Sequence, residues 1–475
     1  MRPALLAALL LVPSTAWPAA YYFLDAGTRA LGRGGAFVAG NDDLSAQYYN
    51  PAALIHSRNP SAMLNMSGVS RYVMFDRADE TGNPFEPVYN ESPPLIIPGF
   101  GGSHTFGRDD LTVALGFYTP FAPDMSYPTD GPQRYSLTDT LVWQLYIGPS
   151  VAYRPLPWLT LGAGVSWSVL RAEEELTVAM CIKGSVCGDN TAQDATVAMA
   201  AWDKRKIAWN AGLLVEPTPW LSVGAGFVPP LSYHATGSIT AGFGEDFALA
   251  NFLDGDSFTD DDVTVLVNMP MITRLGVAVR PMPNLEIEIA GTMERWASTP
   301  VDCGEYGQGV CITDVDLTIE TNPDSLLKGE PVILTDDIVL PTDYANSFSG
   351  RLGADWDINS RWTARAGGFF ETSAVPAATQ GVAIVDGFKR GYGVGGGVKI
   401  IPRLTLDAAF SQSFIKTREI TDSEVRMIQL EVDLQDTASS GIINGKVVGN
   451  GVFASHLTMA SVGLTWEFGE LPQDG

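Results

Sequence analysis

Beyond its N-terminal stretch the chain has no run of about eighteen consecutive apolar residues, which excludes a helical membrane span. Basic residues are scarce: 29 Lys and Arg stand against 54 Asp and Glu, a formal net charge of −25. Nucleic acid is therefore excluded as a partner, because phosphate binding needs the opposite field. Much of the acid sits in loop-like stretches such as Gly255-Asp256-Ser257-Phe258-Thr259-Asp260-Asp261-Asp262. These read as solvated outer loops, and the Asp260–Asp262 cluster lacks the spacing of a dedicated calcium loop. The histidines number only 4 (His56, His104, His234 and His456) and form no metal-ligand spacing. No Gly-x-Ser-x-Gly elbow and no ordered Ser, His and acid set occur, so no enzyme is expected. Gly391-Tyr392-Gly393-Val394-Gly395-Gly396 matches dinucleotide glycine spacing but lies in an alternating segment rather than opening a helix, and no cofactor is expected.

Cysteine is also sparse, 4 in all, in two close pairs: Cys181 with Cys187 and Cys303 with Cys311. The chain opens with Met1-Arg2-Pro3 and an apolar stretch from Ala4 to Val12, too short to span a bilayer. Residues 1–20 read as a secretory signal peptide, with Ser14-Thr15-Ala16 and Pro18-Ala19-Ala20 as candidate cleavage neighbourhoods. In an oxidising compartment the expectation is two local disulfides, each contributing under about 3 kcal/mol.

What is abundant is alternation. Proline-bearing breaks at Arg154-Pro155-Leu156-Pro157-Trp158, Glu216-Pro217-Thr218-Pro219-Trp220, Arg280-Pro281-Met282-Pro283-Asn284 and Ile401-Pro402-Arg403 each separate two β-like runs. After the first, Leu159, Leu161, Ala163, Val165, Trp167 and Val169 alternate with Thr160, Gly162, Gly164, Ser166 and Ser168. Such runs of about ten residues, with tight turns on one side and long loops on the other, predict an all-β fold: a transmembrane antiparallel β-barrel of about fourteen strands. The expected strands lie near 60–75, 95–107, 111–121, 141–153, 159–171, 205–215, 221–235, 268–280, 285–297, 345–357, 361–372, 388–400, 404–416 and 457–468. Short turns then face the periplasm, and long connections, including 172–204 and 236–267, face outward. Trp158, Trp220, Trp362 and Trp466 collect on the short-turn side as an interfacial girdle.

Residues 21–58 precede the wall and are neither strictly alternating nor helical throughout. A barrel this wide cannot be filled by its own wall side chains, so the segment is expected to plug the lumen. The organisation is thus a signal peptide over 1–20, an N-terminal hatch over 21–58, a barrel over 59–468 and a periplasmic tail over 469–475.

Within that segment Gly32-Arg33-Gly34-Gly35-Ala36, Asp42-Asp43 and Tyr49-Asn50-Pro51-Ala52-Ala53-Leu54 closely resemble the hatch of the FadL-type outer-membrane transporters of long-chain fatty acids and other hydrophobic compounds. Trp209-Asn210-Ala211-Gly212, Gly350-Arg351-Leu352-Gly353 and Ser373-Ala374-Val375-Pro376 extend the match over nearly the whole mature chain. The resemblance implies a monomeric channel in the outer membrane of a Gram-negative bacterium, surrounded by lipid and lipopolysaccharide and inserted by the assembly machinery. It implies passive uptake of a hydrophobic ligand: capture between loops 172–204 and 236–267, binding in the lumen, hatch movement, and release sideways into the bilayer. A general diffusion porin or a surface-binding outer-membrane protein is the alternative.

The resemblance points to residues. Asn50, Pro51 and Ala52 would gate the hatch, or form a simple turn into the first strand. Tyr118, Thr119 and Pro120 would kink the third strand, or end it at the outer rim, since proline removes a ladder hydrogen bond. Phe243, Phe247 and Phe252 would offer an apolar capture surface, or hold their loop folded. Arg171, Lys389 and Arg390 would meet a ligand carboxylate, or pair at the rim with Glu173 and Asp386. There are departures from the family pattern: Val228-Pro229-Pro230-Leu231-Ser232 stands where a basic residue is usual, and Gly469 to Gly475 follow the last aromatic, Phe468.

Overall fold

The structure is a computed structural model that describes residues 26–57, 59–184, 188–244, 247–298, 309–335, 338–341, 343–435 and 440–468. The signal peptide, the start of the expected hatch, Cys187, Cys303 and the tail 469–475 lie outside the described residues.

Fourteen antiparallel strands form the wall. They are β1 (Ser61–Arg77), β2 (Leu95–His104), β3 (Leu111–Phe121), β4 (Asp139–Leu156), β5 (Leu159–Ile182), β6 (Asp194–Thr218), β7 (Leu221–Val228 and Leu231–Phe243) and β8 (Ser257–Met269 and Met271–Met282). The wall continues through β9 (Leu285–Arg295), β10 (Ser347–Asp357), β11 (Trp362–Glu371), β12 (Lys389–Ile401), β13 (Leu404–Ile420) and β14 (Gly451–Glu467). Each pairs with its sequence neighbours, and β1 closes on β14 from Ser61↔Glu467 to Arg77↔Gly451. Closure leaves no wall edge, which a bilayer demands because no water there can satisfy open backbone groups. Prolines mark the irregularities: β7 breaks at Pro229-Pro230 and β8 at Pro270.

The alternation sorts the side chains. Leu161, Val165, Trp167, Ile207, Trp209, Leu275 and Ile289 are exposed on the outer face, where they meet lipid. Trp158, Trp220, Trp362 and Trp466 are exposed at the short-turn end, as the girdle requires. β5 and β6 run 24 and 25 residues, about twice what a tilted membrane crossing needs. The expected strands stopped at 171 and started at 205 because Glu173-Glu174-Glu175 breaks the apolar alternation there. The overhanging parts of β5 to β8 continue as an outer sheet. They are joined by Gly309–Thr313 on β8 and by Arg426–Val432, which runs parallel to the end of β5. That outer sheet holds the largest apolar core, including Met180, Met199, Phe243, Phe247, Ile312 and Leu430.

Residues 26–57 lie inside the ring of strands. A short helix, α1 (Thr28–Gly32), is followed by α2 (Ala46–Tyr49) and a 3₁₀ turn over Pro51–His56. Ala30, Phe37, Ala52, Ala53 and Leu54 have no exposed surface. The wall makes room for them with glycine: a Cβ on Gly162 would strike Ala52 N, and one on Gly212 would strike Asn50 Oδ1. Only a residue without a side chain lets the Asn50-Pro51-Ala52 backbone approach that closely.

Candidate functional site

Asn50 begins the 3₁₀ turn, and its side chain accepts a hydrogen bond from Ala52 N at 3.2 Å while Pro51 fills the first helical position. The same amide donates to Val38 O at 2.9 Å and to Leu213 O of β6 at 3.1 Å. One buried side chain thus ties two parts of the hatch to the wall. A second tie is electrostatic. Glu288 of β9 accepts from Val38 N, Ala39 N and Gly40 N at 2.6, 3.0 and 2.9 Å. Arg33, wholly buried, faces Glu286, Glu288 and Asp355 at 3.0, 3.3 and 2.7 Å. Removing one member of such a buried group costs about 3–5 kcal/mol, because the others are left uncompensated. A third tie is His56, whose ring bonds Asn41 O at 2.7 Å and Glu216 at 3.0 Å. Burial opposes its charge, but the hydrogen bond and charge of Glu216 outweigh that and raise its pKa.

The wall is incomplete beside β3. β2 and β3 pair only from Phe100↔Phe117 to His104↔Val113, whereas β1 holds β2 up to Leu95. Beyond Tyr118, β3 shifts register on β4, so that Phe121 meets Gln144. The shift falls across Thr119 and Pro120. Beside the parting strands lies a pocket lined by Ile97, Gly99, Tyr118, Thr119 and Pro120 on the wall and by Leu44, Gln47 and Tyr48 of the segment inside the barrel.

A luminal pocket lies directly behind. It is lined by Tyr48, Tyr118, Pro120, Tyr146, Asn210, Pro229, Met269 and Arg274, among others, so Tyr48, Tyr118 and Pro120 border both spaces. Tyr118 meets Tyr48 edge-on at 5.6 Å and Tyr146 at 5.4 Å between ring centroids. Arg274 lies over the Tyr48 ring at 4.5 Å and donates to Tyr48 O at 3.0 Å. A third space is framed by the outer sheet and opens to solvent. Its walls are aliphatic and aromatic apart from Glu174.

The residues singled out from sequence divide. Asn50, Pro51 and Ala52 lie against Gly162 and Gly212 of the wall, and Tyr118, Thr119 and Pro120 line the pocket beside β3. Phe243 lines the outer cavity. Phe247 and Phe252 instead pack into the core of the loops, which corrects their reading as a capture surface. The cations need the larger correction. Arg171 points away from the lumen: it pairs in register with Trp143 and Trp202, lies 5.0 Å from the Trp202 ring, and is bound by Glu173. Arg390 is exposed on the outer face, beside Phe370 and Phe414. Lys389 does reach the lumen, where Glu371 and Asp386 hold it at 2.7 and 2.9 Å. Arg351 adds a contact to Glu371 at 3.6 Å, so this cluster is already neutralised. Arg274 and Glu174, which pattern reading passed over, are the charged residues that line the luminal pocket and the outer cavity. Cys181 and Cys311 are both disulfide-bonded and buried, with partners outside the described residues. No His, Cys, Asp and Glu cluster able to hold a metal occurs among the described residues.

A closed barrel with a filled lumen, a pocket beside β3 and an apolar outer cavity defines a class of outer-membrane channel proteins. A family model described as outer membrane protein transport protein (OMPP1/FadL/TodX) matches residues 9–448, and the chain belongs to that family. Among solved structures, a Pseudomonas aeruginosa FadL homologue superposes with a TM-score of 0.71 at 17% identity, covering 95% of this chain and 100% of that one. The Pseudomonas putida toluene transporter TodX gives 0.61 at 15% identity, over 94% and 99% of the two chains. The Ralstonia pickettii toluene transporter TbuX gives 0.60 at 16%, over 94% and 99%. At these identities the likeness shows the shared fold. A putative outer membrane protein of Neisseria meningitidis serogroup B is 27% identical over 147 residues, 29% of this chain and 32% of that protein, so the match spans about a third of its length. The protein is an outer-membrane β-barrel of a transport family and not an enzyme.

Proposed function

We propose that this protein carries small hydrophobic molecules passively across the outer membrane. A ligand enters the apolar outer cavity, reaches the luminal pocket behind Tyr118, and leaves sideways through the opening beside β3 when the hatch yields. The observation that carries this reading is the shared border: Tyr48, Tyr118 and Pro120 line both the luminal pocket and the pocket beside β3. Lateral exit suits the cargo, because a bilayer core favours apolar groups by about 0.8 kcal/mol per methylene, and the periplasm does not. The printed names of the similar structures, a FadL homologue and toluene transporters, support a hydrophobic cargo. A general diffusion porin fits less well, since buried hatch residues occupy the lumen. The single chain closes its own barrel, which supports action as a monomer, with its outer sheet set in the lipopolysaccharide layer.

Gly99→Trp tests the route. A Cβ there meets only Phe117 O at 3.8 Å and Asn65 Cβ at 3.9 Å, so a side chain can start from this position without a backbone clash, and an indole is expected to obstruct the opening. Uptake of a labelled aromatic hydrocarbon by cells carrying the variant is expected to fall to the level of cells lacking the protein, with binding to the purified protein retained. Wild-type uptake by the variant would rule out the lateral route.

A further inference from the structure

The outer cavity holds one polar anomaly. Leu176, Met180, Met199, Phe243, Ile312 and Leu430 typify its wall, and among the described residues Glu174 is the only ionisable one lining it. β5 turns its even-numbered residues inward, and Glu174 stands between Thr140 of β4 and Met199 of β6. Neither neighbour carries charge. Its carboxyl has no hydrogen-bond or ionic partner among the described residues, although Glu173, one position away, is paired with Arg171 on the opposite face. Glu174 lies beyond Trp167 and Arg171, above the membrane-crossing part of the strand, so this is not a lipid-facing acid. An unpaired carboxyl in an apolar cavity carries a desolvation cost that a ligand donor can offset.

We infer that Glu174 makes the outer cavity selective for an uncharged hydrophobic molecule bearing a hydroxyl, and selective against carboxylates. The inference rests on the reading of this cavity as the point of ligand entry. A hydroxyl can donate to the carboxylate or accept from the carboxylic acid, so it pairs with either protonation state. A ligand carboxylate would meet a like charge and, among the described lining residues, no cation, in apolar surroundings that strengthen the repulsion. Burial alone pushes the Glu174 carboxyl up to about 7, in keeping with a group that lacks a partner. The neutralised Lys389 cluster and the outward Arg171 agree with a cargo that is not a fatty-acid anion.

The test is direct binding of three ligands of equal chain length (an alkane, its primary alcohol and its carboxylate) to the detergent-solubilised full chain. Wild type, Glu174→Gln and Glu174→Leu are compared at a pH above the Glu174 titration. Wild type is expected to bind the alcohol at least ~10-fold more tightly than the carboxylate, the scale of one hydrogen bond to a charged group. Glu174→Gln keeps the alcohol and narrows the gap to the carboxylate. Glu174→Leu lowers alcohol affinity to that of the alkane while alkane binding is retained. Equal wild-type affinity for alcohol and carboxylate would overturn the inference, as would a Glu174→Leu variant that weakens all three ligands alike. If the wild type binds neither alkane nor alcohol, the cavity is no entry site, and both this inference and the proposed route fall.

Discussion

Asn50 shows how much one buried amide can hold. Its nitrogen donates to Val38 O within the hatch and Leu213 O in the wall, and its oxygen caps the following 3₁₀ turn. Asn50→Ala removes these links and strands buried carbonyls, at about 1–3 kcal/mol for each group left unsatisfied. The barrel does not depend on them, so its resistance to unfolding in detergent is expected to stay at the wild-type level. Ion conductance in planar bilayers is expected to rise, because the hatch loosens. Unchanged conductance would show that Asn50 is not a latch. Glu288 works by a different physical route, since three backbone N–H groups and Arg33 converge on one carboxylate. It holds Val38 to Gly40 from β9, whereas Asn50 ties Val38 to β6.

Among the elements, β3 is the one that departs from its neighbours. Pro120 cannot donate to a ladder, and the strand leaves β2 just before it while holding β4 with a shifted register. Pro120→Val restores a donor and a residue favoured in strands. Hydrocarbon uptake is expected to fall while the outer cavity keeps its ligand affinity. Uptake equal to wild type would mean that the bend is held by the hatch residues Gln47 and Tyr48, which line the pocket beside β3. β5 and β6 depart in another way, extending past the membrane to build the outer sheet, so one pair of strands serves both wall and cavity.

For the whole molecule, the hatch is held against the barrel by charges as well as packing, so its grip depends on pH. His56 bonds Glu216, which also pairs with Arg154, and its pKa is raised above the ordinary 6.5. A histidine raised on folding contributes its stabilisation fully below the unfolded value, and loses it as pH rises through the higher folded value. Leak conductance is therefore expected to be lowest on the acidic side and to increase as pH rises above the ordinary histidine range and His56 loses its proton. In His56→Gln that rise should vanish, leaving a flat, higher leak. A wild-type profile with no such rise would mean that the Asn50 and Glu288 ties hold the hatch without help from His56.

The strand number and the non-alternating stretch ahead of the first strand were legible in the chain because they rest on local properties: a period of two, proline breaks and a stretch without alternation. Even the misplaced cations were partly legible. Arg171 continues the series Leu161, Val165 and Trp167 that faces lipid, and adjacent strand residues such as Lys389 and Arg390 cannot both face the lumen. The partners of Lys389 were not legible as a neutral cluster, because Glu371 stands on the neighbouring strand and Asp386 in the preceding loop. Nor could a pattern show that Arg274 of β8 would cover Tyr48 from a distant part of the chain. Glu174 looked like one acid among three, and only the curl of the outer sheet put it alone in an apolar space. Alternation tells which residues share a face. Closure of the barrel and the packing of the hatch decide what each of those faces meets.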